Sequence, residues 1–462
     1  MPRLGLHALF LGLLAVGALA LVGGALLSPR LVSVSPAEGA VVASGAAEVV
    51  LTFSQPVRAD TLADHVRFSP DTPGEWRSQG QQAVFVPQKP WPPGSTVHVQ
   101  VSPGLKARNG LPLWRGKTWS FAVAQAQLAY LWPANEAYLY VWDPLTRRSH
   151  PLTHIGDILA YAPGARGRYV YFSARSRRGA DLFVLDRTVL TAEGLPRTQV
   201  LLDCGADQCL DPAPAPNGRW LAYTRDDGPQ RLTRVHLLDL RTQTDTVVPP
   251  ADHETYGPIW SAGSTLAYYD AQRHGYVLWQ PAEAKPVAFL PNDTGEAAVW
   301  SPDGASIVAV EMLLQSPARP GSTPTSPADA PYYAAHLWRY QWQPRLNRID
   351  LTGDPNLEDG TPAFSPDGQW LAFGRKALDP AHWTPGRQVW LMSPDGRNAR
   401  QITHAPDFNH LDFAWHPTLP WLVYARTNQA DFTQPPEIWR YDLEKDRQEK
   451  LIVNGIMPCW LP

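Results

Sequence analysis

The stretch Pro362-Ala-Phe-Ser-Pro-Asp-Gly-Gln-Trp-Leu-Ala-Phe373 reads as two short apolar strands joined by one tight turn. Pro366 presets φ for the first turn position, Asp367 caps the turn through its side chain, and Gly368 accepts a positive φ. The flanking runs are thereby forced into an antiparallel hairpin.

The phrase recurs along the second half of the chain. Ala298-Val-Trp-Ser-Pro-Asp-Gly304 is a second close copy. Weaker copies are Pro214-Ala-Pro-Asn-Gly-Arg-Trp-Leu-Ala-Tyr223, Pro258-Ile-Trp-Ser-Ala-Gly-Ser-Thr-Leu-Ala-Tyr268 and Phe413-Ala-Trp-His-Pro-Thr-Leu-Pro-Trp-Leu-Val-Tyr424. The most degraded is Leu159-Ala-Tyr-Ala-Pro-Gly164 before Tyr169-Val-Tyr-Phe172. A third strand follows each hairpin, as in Val235–Leu240, Val389–Met392 and Ile438–Leu443, and a fourth often ends like Gln401-Ile-Thr403. Four antiparallel strands per repeat make one blade of a β-propeller.

Each end of this region supplies what the other lacks. Pro458-Cys-Trp-Leu-Pro462 has the first strand of the phrase without the second, and Leu128-Ala-Tyr-Leu131 has the second without the first. The expectation is a blade stitched from both, closing the ring without an open edge. Six complete repeats plus the shared blade give seven; six or eight stay open because the weakest copies are eroded. The Trp-Ser-Pro-Asp-Gly wording resembles the TolB-type, or Pro-Asp-repeat, propeller family over about 127 to 462. That resemblance implies the fold and, through relatives, protein or peptide binding. The Pro-, Ser-, Thr- and Ala-containing segment Gln315 to Tyr333 interrupts one blade as a loop insertion, either a solvated loop or a partner-docking one.

Upstream, Val32–Pro36, Val49–Phe53, Ala83–Val86, Thr96–Val101 and Thr118–Val123 read as half-buried strands separated by turn residues. Such spacing fits a β-sandwich over residues 31–124. The opening Ser35-Pro-Ala-Glu-Gly39 leading to Phe53-Ser-Gln-Pro-Val57, and the closing Asn109-Gly-Leu-Pro-Leu113 before Thr118-Trp-Ser-Phe-Ala-Val123, resemble the bacterial Ig-like domain of the SbsA type. The resemblance implies a spacer or an adhesive module.

Residues Leu4 to Leu27 are apolar except for His7, long enough to span a bilayer as a helix. Arg3 ahead of them favours a cytoplasmic N-terminus with the bulk outside. A cleaved signal peptide ending at Ala18-Leu19-Ala20 is the rival reading, and the absence of a nearby cysteine excludes a lipoprotein anchor. The division is therefore an anchor or signal segment at 1–30, an Ig-like sandwich at 31–124 and a propeller at 125–462, an all-β chain apart from a transmembrane helix. Composition agrees: 47 Pro and 19 Trp against 4 Met point to strands and turns rather than helical bundles. A net charge of −3 gives no electrostatic basis for holding nucleic acid. Cys204 and Cys209 are near neighbours, and export makes a loop disulfide an expectation.

The sequence has no Gly-x-Ser-x-Gly elbow, no second His to complete a zinc-protease motif at His253-Glu254, and no Gly-rich phosphate loop or Asp-rich calcium loop. No catalytic residue, metal site or cofactor is expected. Ahead of the repeated phrase lie Asp157, Asp211, Glu254, Glu296, Glu358, Asp359, His410 and Asp412. Several blades thus bring an acidic group to about the same height, where a ring could hold a cation or the basic end of a peptide; solvated turn residues or blade ties are the plainer reading. The functional expectation is a membrane-tethered binding or scaffold protein of the cell envelope with a protein or peptide partner. A ligand-sensing ectodomain working through a partner, or a propeller enzyme acting on envelope glycan or peptide, is the alternative.

Overall fold

The computed structural model describes residues 27–42, 48–89, 91–92, 94–123, 125–164, 167–227, 232–315, 331–343 and 345–461. The anchor expected at 4–27 lies outside these residues except for Leu27, and so does most of the insertion expected between Gln315 and Tyr333. Among the described residues no helix is long and apolar enough to cross a membrane. The chain is all-β and divides into two compact units after Gln125.

The first unit is a sandwich of two four-stranded sheets. One runs Leu31–Ser35, Val49–Phe53, Gln82–Pro87, Gly74–Gln79; the other runs Val41–Val42, Lys117–Val123, Thr96–Val101, Val66–Ser69. Alternation along Thr96–Val101 buries Val97, Val99 and Val101 and exposes the residues between them. Those valines pack with Phe53, Trp91, Trp119 and Phe121, and the Trp119 indole donates to the Pro36 carbonyl at 3.0 Å. Two strands, Val66–Ser69 and Gly74–Gln79, carry weak signals in the sequence because Arg67 and Arg77 interrupt the apolar pattern. The chain enters this unit beside Leu31 and leaves it after Val123, at opposite ends of the strands.

The second unit is built of four-stranded antiparallel sheets. Their first strands are Ile158–Pro163, Gln208–Pro214, Thr255–Trp260, Ala298–Trp300, Leu357–Phe364, Phe408–Trp415 and Ile456–Leu461. A single parallel bridge, Ala180 to Gln208, links the sheets that begin at Ile158 and Gln208. Ile456–Leu461 lies antiparallel to Gln127–Trp132, with Cys459 opposite Ala129 and Trp460 opposite Leu128. First strands touch one another in chain order, and Ile456–Leu461 touches both Phe408–Trp415 and Ile158–Pro163.

Period-two alternation fills the space between sheets. Leu221, Tyr223 and Leu238 face Tyr171, Leu182 and Val184 of the preceding sheet. Their neighbours Ala222, Val235 and Leu237 face Leu266, Tyr268, Val277 and Trp279 of the following one. Each large side chain so buried contributes about 1.5–3 kcal/mol. The turn of the repeated phrase closes on its own serine. Ser365 Oγ donates to Asp367 at 2.5 Å and accepts the Trp370 N–H at 2.9 Å, and Ser301 does the same with Asp303 and Ser306. Gly368 and Gly304 take φ of 69° and 70°, which a β-carbon would oppose.

Candidate functional site

Each first strand runs away from the end of the sheets at which the second-to-third-strand loops also lie, because neighbouring strands are antiparallel. Five first strands carry a register shift that leaves two residues unpaired, Leu210/Ala213, Tyr256/Ile259, Gly360/Ala363, Leu411/Ala414 and Ile456/Cys459; a sixth shift, Ile158/Ala160, skips one residue. Within each of the five one residue has positive φ: Asp211, Gly257, Thr361, Asp412 and Met457. A bulge of this kind bends the strand and re-aims its side chains where the first strands converge. Asp and Gly tolerate the left-handed conformation; β-branched Thr361, at φ 49°, is strained in it. Aromatic side chains just beyond the bulge tie adjacent sheets. Trp260 Nε1 donates to the Ala213 carbonyl at 2.8 Å, Trp415 Nε1 to the Ala363 carbonyl at 3.0 Å, and the Tyr161 hydroxyl to the Met457 carbonyl.

The eight residues singled out from sequence separate into two groups. Glu358, Asp359 and His410 are buried and engaged. Asp359 accepts both Arg375 Nε (2.7 Å) and Arg375 Nη2 (2.6 Å), and also the Thr352 hydroxyl at 2.9 Å; burial raises its carboxyl even so. Glu358 is ion-paired with Arg387 and with Lys376. His410 Nδ1 donates to the Arg387 carbonyl at 2.8 Å, and burial lowers its imidazole to about 4. Glu358 and Asp359 pair with cations of their own sheet, while His410, and Asp359 through Thr352, reach a neighbouring one.

Asp157, Asp211, Glu254, Glu296 and Asp412 are at least partly open to solvent, and none has an ion-pair partner among the described residues. Asp211 and Asp412 sit on the bulges, where surrounding protein raises both carboxyls; the Met457 N–H, 3.3 Å from Asp412, opposes that rise. Asp157 is also in the left-handed region, at the start of its strand, with its N–H donated to the Glu136 carbonyl at 2.7 Å. Glu254 and Glu296 flank Tyr256, whose hydroxyl is raised by burial first and by these two charges second. Asp211 and Asp412 thus lie within their strands, and Asp157, Glu254 and Glu296 just ahead of theirs. Among the described residues no group of three or more His, Cys, Asp or Glu side chains is placed to hold a metal ion.

The same end of the sheets carries features the sequence reading passed over. Trp132, Leu314, Tyr333, Trp383 and Phe432 lie in, or beside, the second-to-third-strand loops, and the last four are 55–81% exposed. Leu314 and Tyr333 are cross-strand partners in a hairpin of two ten-residue strands, Ser306–Gln315 and Tyr332–Gln341. Trp383 and Phe432 lie between the second and third strands of their repeats, Trp132 ends a second strand, and Leu314 and Tyr333 lie near the loop end of one hairpin. Elsewhere, Cys204 and Cys209 form a disulfide whose sulfurs are buried beside Leu221 and Tyr223.

Residues 27–123 match the family described as bacterial Ig-like domain, and the first unit is such a domain. No curated protein matches the chain. Among solved structures, it is similar to an oligogalacturonate lyase from Vibrio parahaemolyticus at 16% identity and TM-score 0.42, over 65% of this chain and 74% of that one. It is also similar to TolB from Acinetobacter baumannii at 12% identity and TM-score 0.43, over 88% and 86%. A third is the tricorn protease, at 10% identity and TM-score 0.44, over 87% and 43%.

Proposed function

We propose that this chain is an envelope-associated binding protein: a seven-bladed propeller, closed by Ile456–Leu461 beside Gln127–Trp132, is its recognition head and the Ig-like domain its spacer. The observation that carries this reading is the gathering of Trp132, Leu314, Tyr333, Trp383 and Phe432 on the end of the sheets where Asp157, Glu254 and Glu296 stand unpaired. Exposed aromatic and aliphatic side chains grouped in this way mark interaction surfaces, and aromatics supply most hot spots. An acidic centre inside an apolar rim suits a protein segment carrying both basic and apolar side chains.

Binding is favoured over catalysis because the most buried acids are already committed, Asp359 to Arg375 and Glu358 to Arg387. An extracytoplasmic location, with residues 4–27 in the membrane, is supported by the apolar run after Arg3 and by the Cys204–Cys209 disulfide.

The full chain, solubilised in detergent, serves as bait against an envelope extract of the source organism. A specific protein partner retained by Leu145→Ser, on the opposite end of the sheets, but lost by Trp383→Ser with Phe432→Ser, supports the recognition face. Equal loss with both variants, or no specific partner, overturns it.

A further inference from the structure

The Ig-like domain carries a patch of a different character. Between Val101 and Lys117 the chain makes a hairpin loop that reads Lys106-Ala-Arg-Asn-Gly-Leu-Pro-Leu-Trp-Arg-Gly-Lys117. It contains four cations and no carboxylate. Lys106, Arg108, Arg115 and Lys117 are all exposed, and none has an ion-pair partner among the described residues. Trp114 stands among them at 61% exposure. Asp60, paired with Arg58, also feels the charge of Lys106, and Asp64 is exposed.

The loop is built to hold this display still. Leu105, Ala107 and Leu113 are buried in or against the sandwich core. The Gly104 and Leu113 N–H groups bond the Leu113 and Leu105 carbonyls at 2.8 and 2.7 Å, and the Arg108 N–H bonds the Pro56 carbonyl at 2.8 Å. Alternate residues therefore point inward and anchor, while the charged ones and Trp114 point outward.

The place of this loop gives the patch its meaning. Asn109 Nδ2 donates to the Leu27 carbonyl at 2.9 Å, so the loop is hydrogen-bonded to the last residue of the apolar run 4–27. It lies at the end of the sandwich where the chain enters, opposite the end where it leaves for the second unit. We propose that the Val101–Lys117 loop docks on an anionic phospholipid surface, with Trp114 at headgroup depth and Lys106, Arg108, Arg115 and Lys117 on the phosphates. Indole rings favour that interfacial layer, and cations are drawn to an anionic surface. Docking would fix the sandwich upright on the bilayer. The inference rests on residues 4–27 entering the membrane.

The test uses the full chain reconstituted in phosphatidylcholine vesicles, with and without phosphatidylglycerol. Flotation reports membrane insertion, and amide hydrogen exchange over residues 102–117 reports docking. The expected result is flotation on both vesicles, with loop exchange about tenfold slower on the anionic one, an effect erased by salt. A variant with Lys106, Arg108, Arg115 and Lys117 all changed to Gln is expected to float equally and to lose the lipid dependence. Flotation with loop exchange indifferent to lipid, or a lipid dependence the variant keeps, overturns the docking alone. No flotation on either vesicle overturns the membrane reading and the docking with it.

Discussion

His416 accepts the backbone N–H of Leu419 at Nδ1, 2.9 Å away, and that of Thr418 at 3.1 Å. It stands where Ser301 and Ser365 stand in the sister turns, but its lone pair takes the N–H groups two and three residues on, where each serine hydroxyl takes the one five residues on. The substitution brings a titratable group into the turn, and its neutral form is the one the turn requires.

Burial, with Arg440 adding to it, lowers His416 to about 4, and burial lowers His410 likewise. Each folded-state value lies below the unfolded one, so the folded state binds fewer protons across that interval. The associated stability is complete above about pH 6.5 and falls as pH drops towards 4, by on the order of 2 kcal/mol for each group. Thermal melts between pH 7 and pH 4 are expected to show this slope. His416→Ser, which removes the titrating ring and keeps a small hydrogen-bonding side chain, is expected to reduce the slope. An unchanged slope in that variant would remove His416 from the account.

The buried pair Asp359–Arg375 yields the largest single effect. Asp359→Ala leaves a guanidinium with only 10% side-chain exposure and no counter-charge from that position, and is expected to cost about 3–5 kcal/mol in urea unfolding. Changing Arg375 to Met in the same chain should recover part of the loss. A cost below about 1 kcal/mol for Asp359→Ala would mean that this acid is not a blade tie.

How much of this was legible beforehand depends on the range of the interactions involved. The Ser-Pro-Asp-Gly turn is local: Ser365, Asp367 and Gly368 complete one another within six residues, so the hairpin and its repeats could be read directly. The disposition of the acids is non-local. Asp359 and Asp412 occupy comparable places before or within the phrase, yet one meets Arg375 across a strand pair and the other meets only a backbone N–H from a different sheet. Strand register decides that difference, and a bulge resets the register in mid-strand. The apolar rim was overlooked for a similar reason: Trp383 and Phe432 are far apart in sequence and share a face only after the sheets are set side by side.

Cys204 and Cys209 enclose a short loop, with a sequence separation of 5. Chain-entropy reasoning for so small a loop gives a stabilisation of about 2 kcal/mol. Cys204→Ser with Cys209→Ser is expected to lose that amount under non-reducing conditions. Thiol labelling of the unfolded chain should count one group, Cys459, before reduction and three after. Three before reduction would show that the bond is not formed.

Thr361 offers a stabilising change. Its φ of 49° places a β-branched side chain in the left-handed region, and its hydroxyl is buried without a hydrogen-bond partner. Asn tolerates that backbone better, so Thr361→Asn is expected to raise stability by about 1 kcal/mol. A loss instead would show that the side chain's packing outweighs the backbone strain.

The aromatic ties between sheets make a matched comparison possible. Trp260 and Trp300 occupy the same position of the repeated phrase, yet Trp260 Nε1 reaches the Ala213 carbonyl at 2.8 Å while Trp300 Nε1 is buried without an acceptor. Phe fills most of the indole volume at either site and deletes only the N–H. At position 260 the change strands a carbonyl and is expected to cost about 1–2 kcal/mol beyond the loss of packing. At position 300 it removes an unsatisfied donor, and the cost should be smaller by that amount. Urea unfolding of Trp260→Phe and Trp300→Phe measures the difference directly. Equal costs would show that packing, not the inter-sheet hydrogen bond, holds neighbouring first strands together.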